Sequence, residues 1–197
     1  MAFIRDISVE EATGKARELY ESDLKTLGYV ANYTKVFAHR PEAWAGWVGL
    51  NRAIRSTMDP RRYELVTLAA ASQLRSSYCM LAHGAAVLRS RIFTNEQLER
   101  IARDYRQAGL DSAEVAMMTF AEKVTERAYS VSAEDVEALR RHGFSDAEIL
   151  DIALTAAARC FFSKVLDAVG AAPDETFLSL DEGLRHALAI GRPFGGT

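Results

Sequence analysis

Cysteine is scarce in this chain of 197 residues, which contains only Cys79 and Cys160. Two cysteines do not build a disulfide scaffold in a protein of this length. The fold must therefore rest on a hydrophobic core, and the chain is long enough for one compact domain with such a core. We expect a reducing, cytoplasmic location, in which each thiol is free and has a structural or a redox role.

The chain also lacks long apolar runs and a large excess of either charge. Its longest apolar stretches, such as 153–158, are far too short to cross a bilayer, and Arg5 and Asp6 interrupt the region where a secretory signal would be apolar. The net charge of −3 gives no electrostatic reason to expect nucleic acid or an anionic membrane as a partner. We predict neither.

Signals for β-strands are missing as well. No segment combines sustained alternation of apolar and polar residues with an Asn-Gly or Asp-Gly turn. Helix signals recur instead: Thr94 with Gln97, and Ser145 with Glu148, have the spacing of a capping box, and apolar residues recur mostly at helical spacing. We predict an all-α protein of about eight helices joined by short loops.

No low-complexity linker divides the chain, so we predict a single domain over residues 1–197. Within it we expect N-terminal helices in 8–57, a core segment in 60–90 that carries the functional residues, and C-terminal helices in 94–190.

The segment 60–90 favours helix throughout, except at two adjacent serines, Ser76 and Ser77. In one straight helix Glu64 and Cys79 would lie about 22 Å apart, from the rise of about 1.5 Å per residue, and their side chains could not meet. Serine favours helix N-caps over helix interiors. If Ser76 caps a new helix, Cys79 is its third residue, and the two helices can fold against each other.

Cys79 and His83 are four residues apart and would share one face of that second helix. A thiol in the first helical turn lies near the positive end of the helix dipole, which favours the reactive thiolate. His83 could exchange a proton with the sulfur, and Ser76 could donate a hydrogen bond to it. The residues alone also allow a purely structural Cys79, because buried cysteine usually behaves as a small hydrophobic residue.

The segment 64–84 resembles the signature of the AhpD-like, carboxymuconolactone decarboxylase superfamily; it reads E-L-V-T-L-A-A-A-S-Q-L-R-S-S-Y-C-M-L-A-H-G. In the alkylhydroperoxidase branch the pattern is a Glu, eleven residues, C-x-x-C, and a His four positions after the second Cys. Glu64, Cys79 and His83 occupy matching positions, and Ser76 stands in place of the first Cys. Further similar stretches, such as G-Y-V-A-N and A-A-R-C-F-F-S-K-V-L-D, extend the likeness over roughly 8–175.

The resemblance implies an AhpD-like helical bundle and a peroxiredoxin-type, antioxidant peroxidase that needs no cofactor. It implies that Cys79 attacks the hydroperoxide, while Glu64 and His83 form a proton relay. Tyr78 lies between the two motif positions, where it would line the pocket, hydrogen-bond within the relay, or simply pack.

Ser76 departs from the family pattern, because a serine can hydrogen-bond to a thiolate but cannot form a disulfide. If Cys79 were oxidised to a sulfenic acid, the resolving thiol would have to come from elsewhere. An external thiol reductant, a partner protein or Cys160 could supply it, although the apolar neighbours of Cys160 favour a packed core thiol.

Two other functions stay open. In a decarboxylase or isomerase acting on a lactone or related ring acid, acid–base groups carry the chemistry, so Cys79→Ala would retain activity and His83→Ala would not. In a non-catalytic scaffold Cys79 would be unreactive. The resemblance also implies a homo-oligomer, a trimer or hexamer, with 1–8 and 177–190 as interface segments.

Other residue groups each have a functional and a structural interpretation. Four aromatic residues either wall an apolar pocket or form core, and four arginines either receive an anionic substrate or form a solvated basic face. No histidine outside the motif has metal-ligand spacing with another His or Cys, so we predict no metal. These groups are Tyr33, Phe37, Trp44 and Trp47; Arg52, Arg55, Arg61 and Arg62; and His39, His142 and His186.

Overall fold

A computed structural model describes residues 2–194, and this range is helical with no strand. It forms one compact unit, which confirms the predicted all-α, single-domain fold; Met1 and 195–197 lie outside the described residues. Ten α-helices occur, two more than expected, because helices of six and seven residues are too short to show hydrophobic periodicity. They are α1 (Gly14–Thr26), α2 (Asn32–Phe37), α3 (Pro41–Thr57), α4 (Pro60–Gln73), α5 (Ser77–Arg89), α6 (Asn95–Asp104), α7 (Ser112–Arg127), α8 (Ala133–Arg141), α9 (Asp146–Ala168) and α10 (Glu182–Leu188).

Three short 3₁₀ helices complete the described secondary structure, at Tyr105–Gln107, Ala128–Ser130 and Glu175–Ser179. The predicted capping boxes are present at the starts of α6 and α9, each with both reciprocal hydrogen bonds. Among residues 2–194 no helix combines the length and the apolar character needed to span a membrane. The cytoplasmic location and the assembly into oligomers stay predictions.

Helix α4 forms the centre of the core, where it packs against α5, α7 and α9. Nine consecutive residues, Tyr63–Ala71, are buried. A helix that is apolar on all sides has to be enclosed by other elements, and Glu64 is the only charged residue between Tyr63 and Gln73. That one carboxylate therefore enters the core together with the apolar residues around it.

The break between α4 and α5 occurs where the sequence predicts it. The backbone of Arg75 has φ of 54°, in the left-handed region that side chains other than glycine rarely adopt. The N–H of Ser76 donates to the Ala71 carbonyl at 3.0 Å, and the N–H of Arg75 donates to the Ser72 carbonyl at 2.9 Å. These bonds close the C-terminal end of α4, after which α5 folds back against it.

The C-terminal segment holds this turn in place. The hydroxyl of Ser77 accepts a hydrogen bond from the Gly191 N–H at 2.9 Å and donates one to the Arg192 carbonyl at 2.8 Å. Gly191 lies so close to the Arg75 carbonyl that any Cβ at position 191 would collide with it. The left-handed turn is therefore secured by residues more than a hundred positions away in the sequence.

We predict that Ser77→Ala lowers the free energy of unfolding by about 1–2 kcal/mol, because it removes both hydrogen bonds to the C-terminal segment. Urea denaturation measures this loss. Ser22→Ala is the matched control, since Ser22 is exposed on α1 and its hydroxyl makes no hydrogen bond among residues 2–194; it should change stability by less than about 0.5 kcal/mol. Equal effects of the two changes would contradict the role of Ser77.

Candidate active site

Helix α5 places Cys79 at its third position and His83 one turn later, as the sequence predicts. The Cys79 side chain is only 1% exposed, and its sulfur faces α9. The hydroxyl of Ser163 donates a hydrogen bond to Cys79 Sγ at 3.0 Å, and Nη1 of Arg159 lies 3.9 Å from the same sulfur. The thiol is therefore held between one hydroxyl and one cation.

Glu64 and His83 form a close pair across the interface between α4 and α5. Glu64 Oε2 and His83 Nδ1 are 2.7 Å apart. In one continuous helix these residues, 19 positions apart, would be separated by about 28 Å. The break at Arg75 therefore creates this pair, and its role as the proton relay that the family resemblance implies stays a prediction.

The surroundings of the pair determine its protonation state. Burial raises the pKa of Glu64, but His83, Arg55 and Arg159 outweigh it and leave that pKa below its usual value. Burial is the largest cause that lowers the pKa of His83, and the charge of Arg159 is the next. Together they outweigh Glu64, which raises that pKa. At neutral pH the imidazole is neutral and donates its Nδ1 proton to the carboxylate. Its Nε2 atom is then free to accept a proton.

Sequence reasoning missed two residues of the site, Ser163 and Arg159, of which Arg159 carries a charge. Arg159 is only 3% exposed, its Nη2 donates to the Tyr63 hydroxyl at 3.3 Å, and that hydroxyl donates to Asn51 Oδ1 at 2.7 Å. Burial lowers the pKa of Arg159, but the negative charges available at Cys79, Tyr63 and Glu64 raise it overall. The sequence held one signal: Arg159 is the only charged residue in the apolar stretch 152–163.

Ser76 does not take the place that the spacing predicts. Its backbone is extended (φ −90°, ψ 95°), so its side chain does not follow the α5 face that carries Cys79. The hydroxyl is buried, caps no helix and makes no hydrogen bond of ordinary length and angle. The Ser76 hydroxyl lies toward Asp167. Burial raises the pKa of Asp167, and the Ser76 hydroxyl offsets part of that rise. The hydrogen bond expected from Ser76 to the thiol comes from Ser163 instead.

Tyr78 points away from the Glu64–His83 pair. Its hydroxyl donates to Asp174 Oδ2 at 2.7 Å and accepts from the Tyr33 N–H at 3.1 Å. Its ring meets Phe177 edge to face. One residue along a helix rotates the side chain by about 100°, which turns Tyr78 from the Cys79 face toward the loop after α9. Of the interpretations offered for Tyr78, packing is the one that describes these contacts.

Both cysteines are free thiols. Cys160 is half-buried, directly after Arg159 on α9, and makes no hydrogen bond to Cys79 within the described range. The structure therefore gives no partner thiol in contact with Cys79, and the role of Cys160 as a resolving thiol stays a prediction.

Several of the remaining candidates have structural partners. The four N-terminal aromatic residues all pack against Phe162, directly or through each other, as core. Arg61 and Arg62 are paired with Glu114 and Glu148. Arg55 is exposed and lies over the Tyr63 ring at 5.0 Å. Among residues 2–194 no cluster of three or more His, Cys, Asp or Glu side chains could hold a metal ion.

Comparisons with known proteins agree with this geometry. Residues 41–123, which include Glu64, Cys79 and His83, match the carboxymuconolactone decarboxylase family. A peroxidase-related protein from Ralstonia eutropha JMP134, described as an alkylhydroperoxidase AhpD core, is similar in structure with a TM-score of 0.79 and 25% identity, over 89% of this chain and 94% of that chain. A peroxidase-related protein from Silicibacter sp. TM1040 gives a TM-score of 0.75 and 26% identity, over 90% and 91%.

A more distant structure shares the fold. The debrominase Bmp8, solved in complex with 2,3,4-tribromopyrrole, gives a TM-score of 0.71 at 15% identity, over 93% of this chain and 94% of that chain. No curated protein matches this chain in sequence. The chain thus matches the carboxymuconolactone decarboxylase family over residues 41–123, and over most of its length it is similar in fold to AhpD-like, peroxidase-related proteins.

We predict that acidification destabilises the wild-type protein more than a His83→Gln variant. The folded protein keeps His83 neutral below its ordinary pKa, whereas the unfolded chain takes up a proton at about pH 6.5. The unfolded state therefore binds more protons, so stability falls as the pH drops through that region. Urea denaturation of both proteins from about pH 7.5 to about pH 5.5 measures the difference. The contributions of His39, His142 and His186 are common to both proteins and cancel. If the free energy of unfolding fell equally with pH in the wild-type protein and in His83→Gln, the neutral state of His83 would be contradicted.

Proposed function

We propose that this protein is a thiol-dependent peroxidase that reduces hydroperoxides through Cys79. The observation that carries the proposal is the environment of the sulfur, which receives a hydrogen bond from Ser163 and lies beside the Arg159 guanidinium. Donors and positive charge around a thiol favour the thiolate, which is the nucleophilic form. The neutral His83 and its carboxylate partner Glu64 supply a base one helical turn away.

The reductive step needs one nucleophile and one group that carries a proton. The Cys79 thiolate attacks the terminal oxygen of the hydroperoxide, while Nε2 of His83 takes the proton from that oxygen. A sulfur–oxygen bond forms, the oxygen–oxygen bond breaks, and the leaving alkoxide receives the proton from His83. Thiolate and hydroperoxide thus give a sulfenate and an alcohol, with sulfur oxidised and the peroxide reduced. Glu64 stabilises the imidazolium while it holds the proton.

Regeneration of Cys79 requires thiols from outside the site. An external thiol attacks the sulfenate sulfur, which gives a mixed disulfide and releases the oxygen as hydroxide. A second thiol then loses its proton to the released hydroxide, which gives water, and displaces Cys79 as the thiolate, which leaves the reductant as a disulfide. Ser76 cannot take part in this exchange, because a hydroxyl does not form a disulfide. Among Glu64, Cys79, His83 and Arg159, only His83 is partly exposed, with 18% of its side chain in contact with solvent.

A second candidate function is acid–base catalysis on a lactone or related ring acid. The observation that favours it is the Glu64–His83 pair itself, since a neutral imidazole oriented by a carboxylate is a complete general base. In that case the thiol takes no part in the chemistry, and Cys79→Ala keeps the activity.

We predict that Cys79→Ser abolishes the consumption of hydrogen peroxide and of tert-butyl hydroperoxide with dithiothreitol as the reductant. Cys160→Ser is the matched control and should keep wild-type rates, because Cys160 does not contact the Cys79 sulfur. His83→Gln should slow turnover by about 100-fold or more, the usual contribution of a general base.

The same three variants separate the two functions. Retained peroxide turnover in Cys79→Ser would rule out Cys79 as the nucleophile. No turnover in the wild-type protein, together with conversion of a ring acid that depends on His83, would favour the acid–base enzyme.

A further inference from the structure

Arg159 is a buried cation without an acidic partner. Within residues 2–194 no carboxylate forms an ion pair with it, and its Nε atom is buried without a hydrogen-bond partner. Two aromatic rings flank the guanidinium, Trp47 at 5.7 Å and Phe162 at 5.5 Å from Cζ to the ring centroids. These rings favour a cation but do not neutralise it. A charge removed from water in this way is costly unless an opposite charge lies close by.

Few groups near Arg159 can provide that opposite charge. The guanidinium contacts the hydroxyl of Tyr63 and the sulfur of Cys79. A thiol gives up its proton more readily than a phenol does, so it is the better source of a negative charge beside a cation. Glu64 contributes at longer range, but its close partner is His83. The sulfur of Cys79 is therefore the contact atom that can balance the charge.

We propose that Arg159 is a catalytic residue of this site: it is the counter-ion that keeps Cys79 as a thiolate and then holds the sulfenate formed from it. The geometry assigns Ser163 a supporting role, because its hydroxyl donates to the same sulfur from one turn along α9. This inference deepens the proposed peroxidase function, and its catalytic part rests on that function.

The proposal explains how the site works without a second cysteine. The Cys79 side chain carries one negative charge both before peroxide reduction, as a thiolate, and after it, as a sulfenate. The Arg159 charge therefore stays balanced during the reaction. In the mixed disulfide the sulfur is neutral and Arg159 loses its counter-ion. The second external thiol restores the ion pair when it displaces Cys79, and Arg159 thereby makes Cys79 the favoured leaving group.

A double-mutant cycle on stability tests the charge pairing without reference to activity. Cys79→Ala leaves Arg159 buried and unpaired, so the unfolding equilibrium constant should rise on the order of 100-fold. Adding Arg159→Met removes the unpaired charge and should restore most of the loss. Cys160→Ala is the matched control and should cost far less, because Cys160 does not contact the guanidinium. Additive effects of Cys79→Ala and Arg159→Met would overturn the pairing.

The rate at which peroxide oxidises Cys79 tests the catalytic part. In a Cys160→Ser background, intact mass follows the addition of one oxygen after stoichiometric hydrogen peroxide. Arg159→Met should slow this reaction at least about tenfold, Arg159→Lys should recover part of the rate because it keeps the charge, and Ser163→Ala should have a smaller effect. Equal rates for Arg159→Met and the parent protein would overturn the catalytic assignment.

The two experiments distinguish the failure of this inference from the failure of the proposed function. If the parent protein takes up no oxygen, the peroxidase function fails and the catalytic role of Arg159 fails with it. Coupling in the stability cycle would then still establish Arg159 as the counter-ion of Cys79. If oxygen is taken up and Arg159→Met neither slows it nor couples to Cys79→Ala, the function stands and the inference about Arg159 is wrong.

Discussion

The left-handed turn at Arg75 is the constraint on which the site depends. It ends α4 and folds α5 back along it, so that Glu64 in one helix meets His83 in the other. The same reversal presents Cys79 to α9, where Arg159 and Ser163 hold its sulfur. Residues other than glycine rarely adopt this conformation. Here the C-terminal segment packs against the turn, through Ser77 and the close approach of Gly191.

Two charged side chains, Glu64 and Arg159, are buried at the site, and they have different partners. The Glu64 carboxylate is balanced locally by the hydrogen bond to a neutral His83 and by nearby arginines. Within residues 2–194 the hydrogen-bond partners of the Arg159 guanidinium are a thiol and a phenol. The site therefore combines a base with a sulfur that lies beside a cation, which is the combination that thiol chemistry on a peroxide requires.

The sequence predicts the parts of this site that local rules govern. Serine preference for helix starts located the break, and counting from it placed Cys79 at the third position of α5. The spacing of four residues paired His83 with Cys79, and the family resemblance assigned Glu64 its role. Arg159 and Ser163 could not be found in this way, because they reach Cys79 across 80 and 84 residues through the packing of α9. Such contacts leave little trace in local spacing beyond a charged residue within an apolar helix.

Spacing also misplaced Ser76, because residues three apart share a face only when both are helical, and Ser76 is extended.

The proposed chemistry depends on the charge of one sulfur atom, that of Cys79. The most direct measurement is the Raman spectrum of the Cys160→Ser protein at neutral pH, in which Cys79 is the only thiol. We predict no S–H stretching band, as expected when Arg159 is the counter-ion of a Cys79 thiolate. An S–H band that disappears only in strongly alkaline solution would contradict the account.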